Sequence, residues 1–214
     1  MIKKYEDSIN EVLNEFPNFI WNQERKLLAG SLEINHTYFD EHIIDSFLIE
    51  IMIPYEYSIT LPRVYSKDKK VALSFDHIYR DGMLCLATDA DQLCFFADGH
   101  NLNEWIKHYV IPYFFAVDYF KKYKVYPFGE REHGDDGIIS FYAEKFMVPS
   151  RQAVIKMLDC IVNKSYRGHL LCPCGSGKRM RNCHKDIVFN WQQDKYHKIL
   201  KCDFISLTSR KEIH

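Results

Sequence analysis

The sequence lacks any apolar run long enough to cross a bilayer. Its most apolar stretch, Tyr109 to Val117, is interrupted by Pro112 and closed by Asp118, well short of the roughly 20 residues a spanning helix needs. The first residues, Met1-Ile2-Lys3-Lys4-Tyr5-Glu6, pass straight to acids, unlike the basic-then-apolar order of a secretory leader. No P-loop and no G-x-G-x-x-G occurs, so neither common phosphate cradle is present. Internal repeats and low-complexity segments are also missing. These absences predict a cytoplasmic protein with no membrane partner, and one that relies on another enzyme for any ATP-driven activation.

A composition that is 47% hydrophobic and 27% charged, with 14 Tyr and 15 Phe, excludes a disordered chain and predicts broad packed faces. Charge is unevenly placed. Through Met147 the chain holds 15 Lys and Arg against 24 Asp and Glu, a net of −9; the remainder holds 13 against 5, a net of +8. The acidic body argues against nucleic acid as a substrate there. The basic tail reads as a solvated face, or as one that docks on an acidic surface. Of seven cysteines, three cluster beside a histidine, which fits a reducing compartment better than a disulfide framework.

Tyr5, Ile9, Val12, Leu13 and Phe16 recur at helical spacing, and Pro17 ends the pattern. Lys26 to Ile34 and Ser46 to Ile53 read as strands, followed by an extended piece from Tyr57 to Val64 and a short apolar run from Val71 to Phe75. From His77 to His100 periodicity disappears, with turns at Asp81-Gly82 and Asp98-Gly99. A buried helix is expected from about Glu104 to Lys124, capped by Asn103 and kinked at Pro112. Helices at Ile138 to Phe146 and Ser150 to Val162 follow. The expected fold is α+β, an antiparallel sheet flanked by helices, with residues 1–164 as the body and 165–214 as a small tail.

The tail carries the densest chemical signal. Cys172-Pro-Cys174-Gly-Ser-Gly-Lys-Arg-Met-Arg-Asn-Cys183-His184 offers four soft or borderline ligands as two close pairs. Zinc favours a tetrahedral shell of thiolate and imidazole, and four protein ligands leave no position open for substrate. Gly175 and Gly177 allow the turn that folds one pair onto the other. The segment resembles the SEC-C motif found in the tail of the bacterial secretion ATPase. That resemblance implies structural Zn2+ and a basic knob of Lys178, Arg179, Arg181 and Lys185 facing a protein partner.

A second cysteine, Cys85, lies in the turn-bounded segment, where a thiol stays accessible; Cys94 and Cys160 sit among apolar neighbours, and Cys202 in the tail. Cys85 between Leu84 and Leu86 reads either as a nucleophile or as a packed thiol. The stretch Tyr57-Ser-Ile-Thr-Leu-Pro62-Arg-Val64, then His77-Ile-Tyr-Arg-Asp81-Gly82-Met-Leu84-Cys85-Leu86, is similar to ubiquitin-conjugating enzymes. Tyr126-Pro127-Phe128-Gly129-Glu130-Arg131-Glu132-His133-Gly134 resembles their prokaryotic branch, which is associated with bacterial antiphage (CBASS-type) operons.

The resemblance implies a UBC fold in which Cys85 carries a protein C-terminus as a thioester and passes it to an amine. The donor would be a ubiquitin-like protein or a nucleotidyltransferase, delivered by an activating enzyme. His77 would brace the flap or assist the oxyanion, and His133 would act as base or cap a glycine-rich turn. Asp89 and Asp91 would orient an amine or stand as solvated acids. The eukaryotic family follows its histidine with Pro-Asn, whereas His77 is followed by Ile78 and Tyr79, so the amide that stabilises the oxyanion is missing. Two other readings are a silent UBC-fold adaptor acting through its sheet and zinc tail, and a cysteine hydrolase.

Overall fold

The computed structural model describes residues 2–38, 40–68, 71, 75, 77–129 and 132–209. They form an α+β structure whose four-stranded antiparallel sheet is flanked by helices. The chain divides into two compact units, residues 1–87 with 98–130, and residues 88–97 with 131–214.

In the first unit, helix α1 (Ile2–Glu15) buries Tyr5, Ile9 and Val12 along one stripe. Tyr5 donates from its hydroxyl to the Ile53 carbonyl at 2.7 Å, and the Ser8 and Tyr57 hydroxyls meet at 2.9 Å. Strands β1 (Phe19–Asn22), β2 (Leu27–Tyr38), β3 (Glu41–Met52) and β4 (Arg63–Ser66) form a meander in that order. The β2–β3 register runs from Leu27↔Met52 to Tyr38↔Glu41. It points Leu28, Leu32 and Ile34 to the same side as Phe47, Ile49 and Ile51, all buried.

Gly30 faces Phe19 across β1–β2. A Cβ there would lie 2.1 Å from the Asn18 carbonyl oxygen. Gly30→Ala is therefore expected to cost at least about 2 kcal/mol, read from the denaturant midpoint of the first unit.

The long apolar helix is a composite: α3 (Leu102–Trp105), a π-helical turn (Ile106–Val110) and α4 (Ile111–Tyr123). The cap is Asn101 and not Asn103. Asn101 Oδ1 accepts from the Glu104 amide at 2.9 Å, and the Glu104 carboxylate accepts from the Asn101 amide at 2.8 Å. Only Asn101 has a glutamate three residues on, which closes this reciprocal box. A π-helical turn lies just ahead of Pro112, where the kink was expected; a widened turn tolerates the missing proline donor.

The extended piece expected from Tyr57 to Val64 is extended only at its end. Ile59 and Thr60 donate back to the Glu56 carbonyl, so the chain turns there before β4 starts at Arg63. Of the apolar run Val71 to Phe75, residues 72–74 lie outside the described residues.

The second unit is helical: α2 (Asp89–Ala97), α5 (Gly134–Phe146), α6 (Arg151–Asn163), α7 (Lys185–Trp191) and α8 (Asp194–Ser209). Its core joins Cys94, Tyr142, Phe146, Val154, Leu158, Cys160, Val188, Trp191 and Leu200. The boundary expected at 164/165 therefore falls inside this unit. The helices before it bury their apolar faces against residues after it, a long-range pairing that no local pattern displays.

The α8 helix is tied to α5 by one polar contact in that core. Tyr142 donates to Asp203 Oδ2 at 2.7 Å. Burial first, and Asp89 further, raise the Asp203 carboxyl to about 6 despite that hydrogen bond. A raised folded-state value means the native chain binds the proton more tightly than the unfolded one. Stability from this group is then greatest below about pH 4 and falls as pH rises to about 6, by at most about 3 kcal/mol. Asp203→Asn keeps an acceptor for Tyr142, so it is expected to be the more stable form at pH 7.5, with the difference closing at pH 4.5. Paired denaturant titrations at the two pH values check this.

Candidate functional site

Two groups of reactive side chains assemble, one in each unit. The first is built on a small hairpin after β4. Tyr79 donates to the Met83 carbonyl and Gly82 to the Tyr79 carbonyl, closing a tight turn, while Asp81 Oδ1 accepts from the Met83 amide. Ile78 bridges Leu84, and Met83 bridges Tyr65, so the returning arm extends along β4. The Leu84 amide donates to the Val64 carbonyl at 2.8 Å. Alternation then buries Leu84 and leaves Cys85 partly exposed.

Cys85 meets His77 at the open end of this hairpin. Its amide donates to the His77 carbonyl at 2.9 Å, and its Sγ lies within 4.8 Å of a His77 ring nitrogen. The imidazole is buried, 8% exposed, between Phe75 at 5.1 Å and Tyr126 at 5.3 Å between ring centroids. Tyr113 on α4 donates its hydroxyl to the same His77 carbonyl at 2.9 Å. Burial, then Cys85 and Tyr126, push the Tyr113 phenol far above its ordinary value, so it holds its proton.

A partly exposed thiol beside an imidazole is the minimum for nucleophilic chemistry. His77 and Cys85 are thus brought together by one hairpin. Tyr113 had no sequence signal beyond being one of three tyrosines on α4.

His133 stands in the other unit, exposed and extended at the N-cap of α5; its side chain makes no capping hydrogen bond, and its carbonyl accepts from the Gly137 amide at 3.4 Å. Of its motif, residues 130 and 131 lie outside the described residues. The segment from His77 to His100 is not irregular throughout. Thr88 Oγ1 accepts from the Asp91 amide at 3.2 Å and starts α2, which places Asp89 and Asp91 in its first turn. Acids there complement the helix dipole. Cys94 is buried in the core of the second unit, as a space-filling thiol would be.

The second group is Cys172, Cys174, Cys183 and His184. Their four donor atoms all lie within 4.8 Å of one another and can hold a metal ion. Cys172 Sγ and His184 Nδ1 are 3.2 Å apart, Cys183 Sγ and His184 Nδ1 3.0 Å, and Cys174 Sγ and Cys183 Sγ 3.6 Å. Zinc–sulfur bonds of about 2.3 Å and zinc–nitrogen bonds of about 2.0 Å in a tetrahedron would space such donors about 3.4–3.8 Å apart. The sulfur–sulfur distance matches that spacing, the two sulfur–nitrogen distances are shorter, and the donor set is one that could hold a metal ion.

The scaffold around the group is backbone. Leu171 bridges Arg179, the Cys172 amide donates to the Lys178 carbonyl, and the Met180 amide to the Leu170 carbonyl. Gly175 and Gly177 both take positive φ in the turn between. Ser176 Oγ lies 3.3 Å from Cys183 Sγ. Against its own burial, Cys174 is drawn down by hydrogen bonds from Ser176, whereas burial pushes Cys172 up.

No family model matches the chain, nor does any curated protein or solved structure. Among the described residues no helix is long and apolar enough to cross a membrane.

Proposed function

We propose that the protein is a ubiquitin-conjugating-enzyme-like transferase of the prokaryotic, antiphage-associated kind, with Cys85 as the acyl carrier and a structural zinc in a SEC-C-like tail. The observation that carries this reading is the pairing of Cys85 with His77 at the end of a hairpin that follows an N-terminal helix and an antiparallel meander. Supporting it, the other cysteines outside the metal group are either buried (Cys94, Cys160) or exposed on α8 (Cys202).

In the proposed reaction the Cys85 thiolate attacks the activated C-terminal carbonyl of a donor protein held by an activating enzyme. A carbon–sulfur bond to Cys85 forms as the bond to the activating enzyme's thiol breaks, and that thiol takes up a proton. An acceptor amine then attacks the Cys85 thioester. The carbon–nitrogen bond forms, the carbon–sulfur bond breaks, and the amine's proton passes to the departing sulfur or through a neighbouring base. His77 would hold a proton near the sulfur, and His133 would be the second candidate base. At the position of the family's oxyanion asparagine stands Tyr79, whose amide is committed to the hairpin by its bond to the Met83 carbonyl.

Cys172, Cys174, Cys183 and His184 would hold zinc as a closed shell, which organises the loop and takes no substrate. The donor protein, a ubiquitin-like protein or a nucleotidyltransferase, and the cytoplasmic setting follow from the resemblance.

The test is trapping. Tagged wild-type protein from the source cell, resolved without reductant and weighed intact, should show a protein-sized adduct that thiols remove. An adaptor reading has its own support: Ile20, Ile44, Leu48 and Met52 lie exposed on the sheet face opposite Phe47 and Ile49. Co-purifying partners without any adduct would favour it.

A further inference from the structure

The His77 carbonyl oxygen accepts two hydrogen bonds of 2.9 Å, one from the Cys85 amide and one from the Tyr113 hydroxyl. The two donors come from elements far apart in sequence, the thiol hairpin and α4. A carbonyl has two lone pairs, so this oxygen has both engaged. Its orientation fixes the peptide plane that follows His77 and the hairpin closure at Cys85. One oxygen thus ties the backbone that carries the imidazole to the backbone that carries the thiol and to α4.

Tyr113 is well placed for such a duty. Its ring is buried and meets Phe75 edge-on at 5.2 Å and Phe114 at 5.4 Å. Phe75 in turn packs on the His77 imidazole. Tyr113 therefore reaches His77 by two routes, directly through the phenol on its carbonyl and indirectly through Phe75, which lies two residues before His77 and packs on its ring. The phenol keeps its proton throughout the pH range of any thiol chemistry, so it serves as a constant donor and not as an acid or base.

We infer that Tyr113 is the positioning residue for the Cys85 thiol: its hydroxyl anchors the His77 carbonyl to α4 and so holds sulfur and imidazole in register for acyl transfer. The transfer part of this statement rests on the proposed function; the positioning part rests on the bonds themselves.

The test is Tyr113→Phe in the full, metal-loaded chain, with Tyr109→Phe as a control that deletes a buried hydroxyl one turn earlier on the same helical run. Iodoacetamide alkylation of Cys85 is followed by peptide mass across pH, and adduct yield is measured alongside. Circular dichroism checks the fold, and the melting midpoint of Tyr113→Phe should stay within about 4 °C of wild type. The expected result is that the alkylation midpoint differs from that of wild type by about half a pH unit or more, and that the adduct falls about tenfold. Tyr109→Phe should change neither.

If both variants alkylate with the wild-type pH profile, positioning by Tyr113 is overturned whatever the adduct does. If the profile shifts while no form gives an adduct, positioning stands and the acyl-carrier reading falls. Should Tyr113→Phe lose its fold, amide exchange at Cys85 in the wild type decides: protection no greater than at the exposed Asp81–Gly82 turn would overturn the anchor.

Discussion

Replacing Cys85 with alanine is expected to abolish adduct formation and transfer, by on the order of 10³-fold or more, while leaving the fold intact. The size follows from the chemistry, because no other residue of the hairpin has a thiol to form the thioester and nucleophile deletions are among the costliest single changes known in enzymes. Cys85→Ser is the more informative change. An oxygen at the same place can accept the acyl group slowly, and the resulting ester resists thiols and releases poorly to amines. The wild-type adduct that reductant removes should become one that reductant leaves. Intact mass of the serine form then names the donor.

The structure supplies its own controls. Cys202 is exposed on α8, whereas Cys94 and Cys160 are buried in the second core. Cys202→Ser should leave the adduct unchanged. An adduct that survives Cys85→Ala but disappears with Cys202→Ser would move the chemistry to α8 and end the conjugation reading of the hairpin. Equal partner recovery from wild type and Cys85→Ser, with no covalent species on either, would instead support an adaptor.

What was legible in the sequence follows the range of the interaction that fixes each feature. Helix α1 was readable because Tyr5, Ile9 and Val12 recur on one stripe and Pro17 ends it. Strands β2 and β3 announced themselves by apolar content, although β1 was missed, since four residues after a proline carry too little pattern. Helix α2 was hidden for a different reason. Leu93-Cys94-Phe95-Phe96 is apolar on consecutive positions, which blurs helical periodicity, and the Thr88 cap sits where a loop was expected.

The clustering of Cys172, Cys174, Cys183 and His184, which could hold a metal ion, was legible because the four residues are close in sequence and the turn between them is local. The pairing of His77 with Cys85 was foreshadowed by resemblance, whereas Tyr113 was not, since a hydroxyl meeting a backbone carbonyl leaves no spacing to read. The division into two units is the least local feature. It depends on α2, α5 and α6 burying their faces against α7 and α8, and on nothing at the 164/165 junction.

Loss of the metal group should have the largest effect on stability. The loop from Tyr166 to His184 has little apolar anchorage of its own, chiefly Cys172 and Met180, and leaves Leu171 68% exposed. Metal binding contributes roughly 10 kcal/mol or more in isolated zinc peptides. Here the loop contributes only Cys172 and Met180 to a buried core made mostly of helix residues, so the cost should be smaller, on the order of 5 kcal/mol.

Cys183→Ser is the sharpest probe, because this sulfur lies within 3.6 Å of Cys174, His184 and Ser176 donors. The expected outcome is a fall in bound zinc from one per chain to near zero by elemental analysis. Trypsin should then cut rapidly at Lys178, Arg179 and Arg181, which are exposed but held by the folded loop. A strong chelator should reproduce both effects on wild type, and added zinc should reverse them only where Cys183 is intact. Acid should release the metal as well, since each ligand must give up its lone pair to a proton. Wild type that contains no metal as isolated, takes up none, and resists trypsin at these sites would show the four groups to be a self-sufficient turn, with the exposed basic residues needing another explanation than a zinc-built knob.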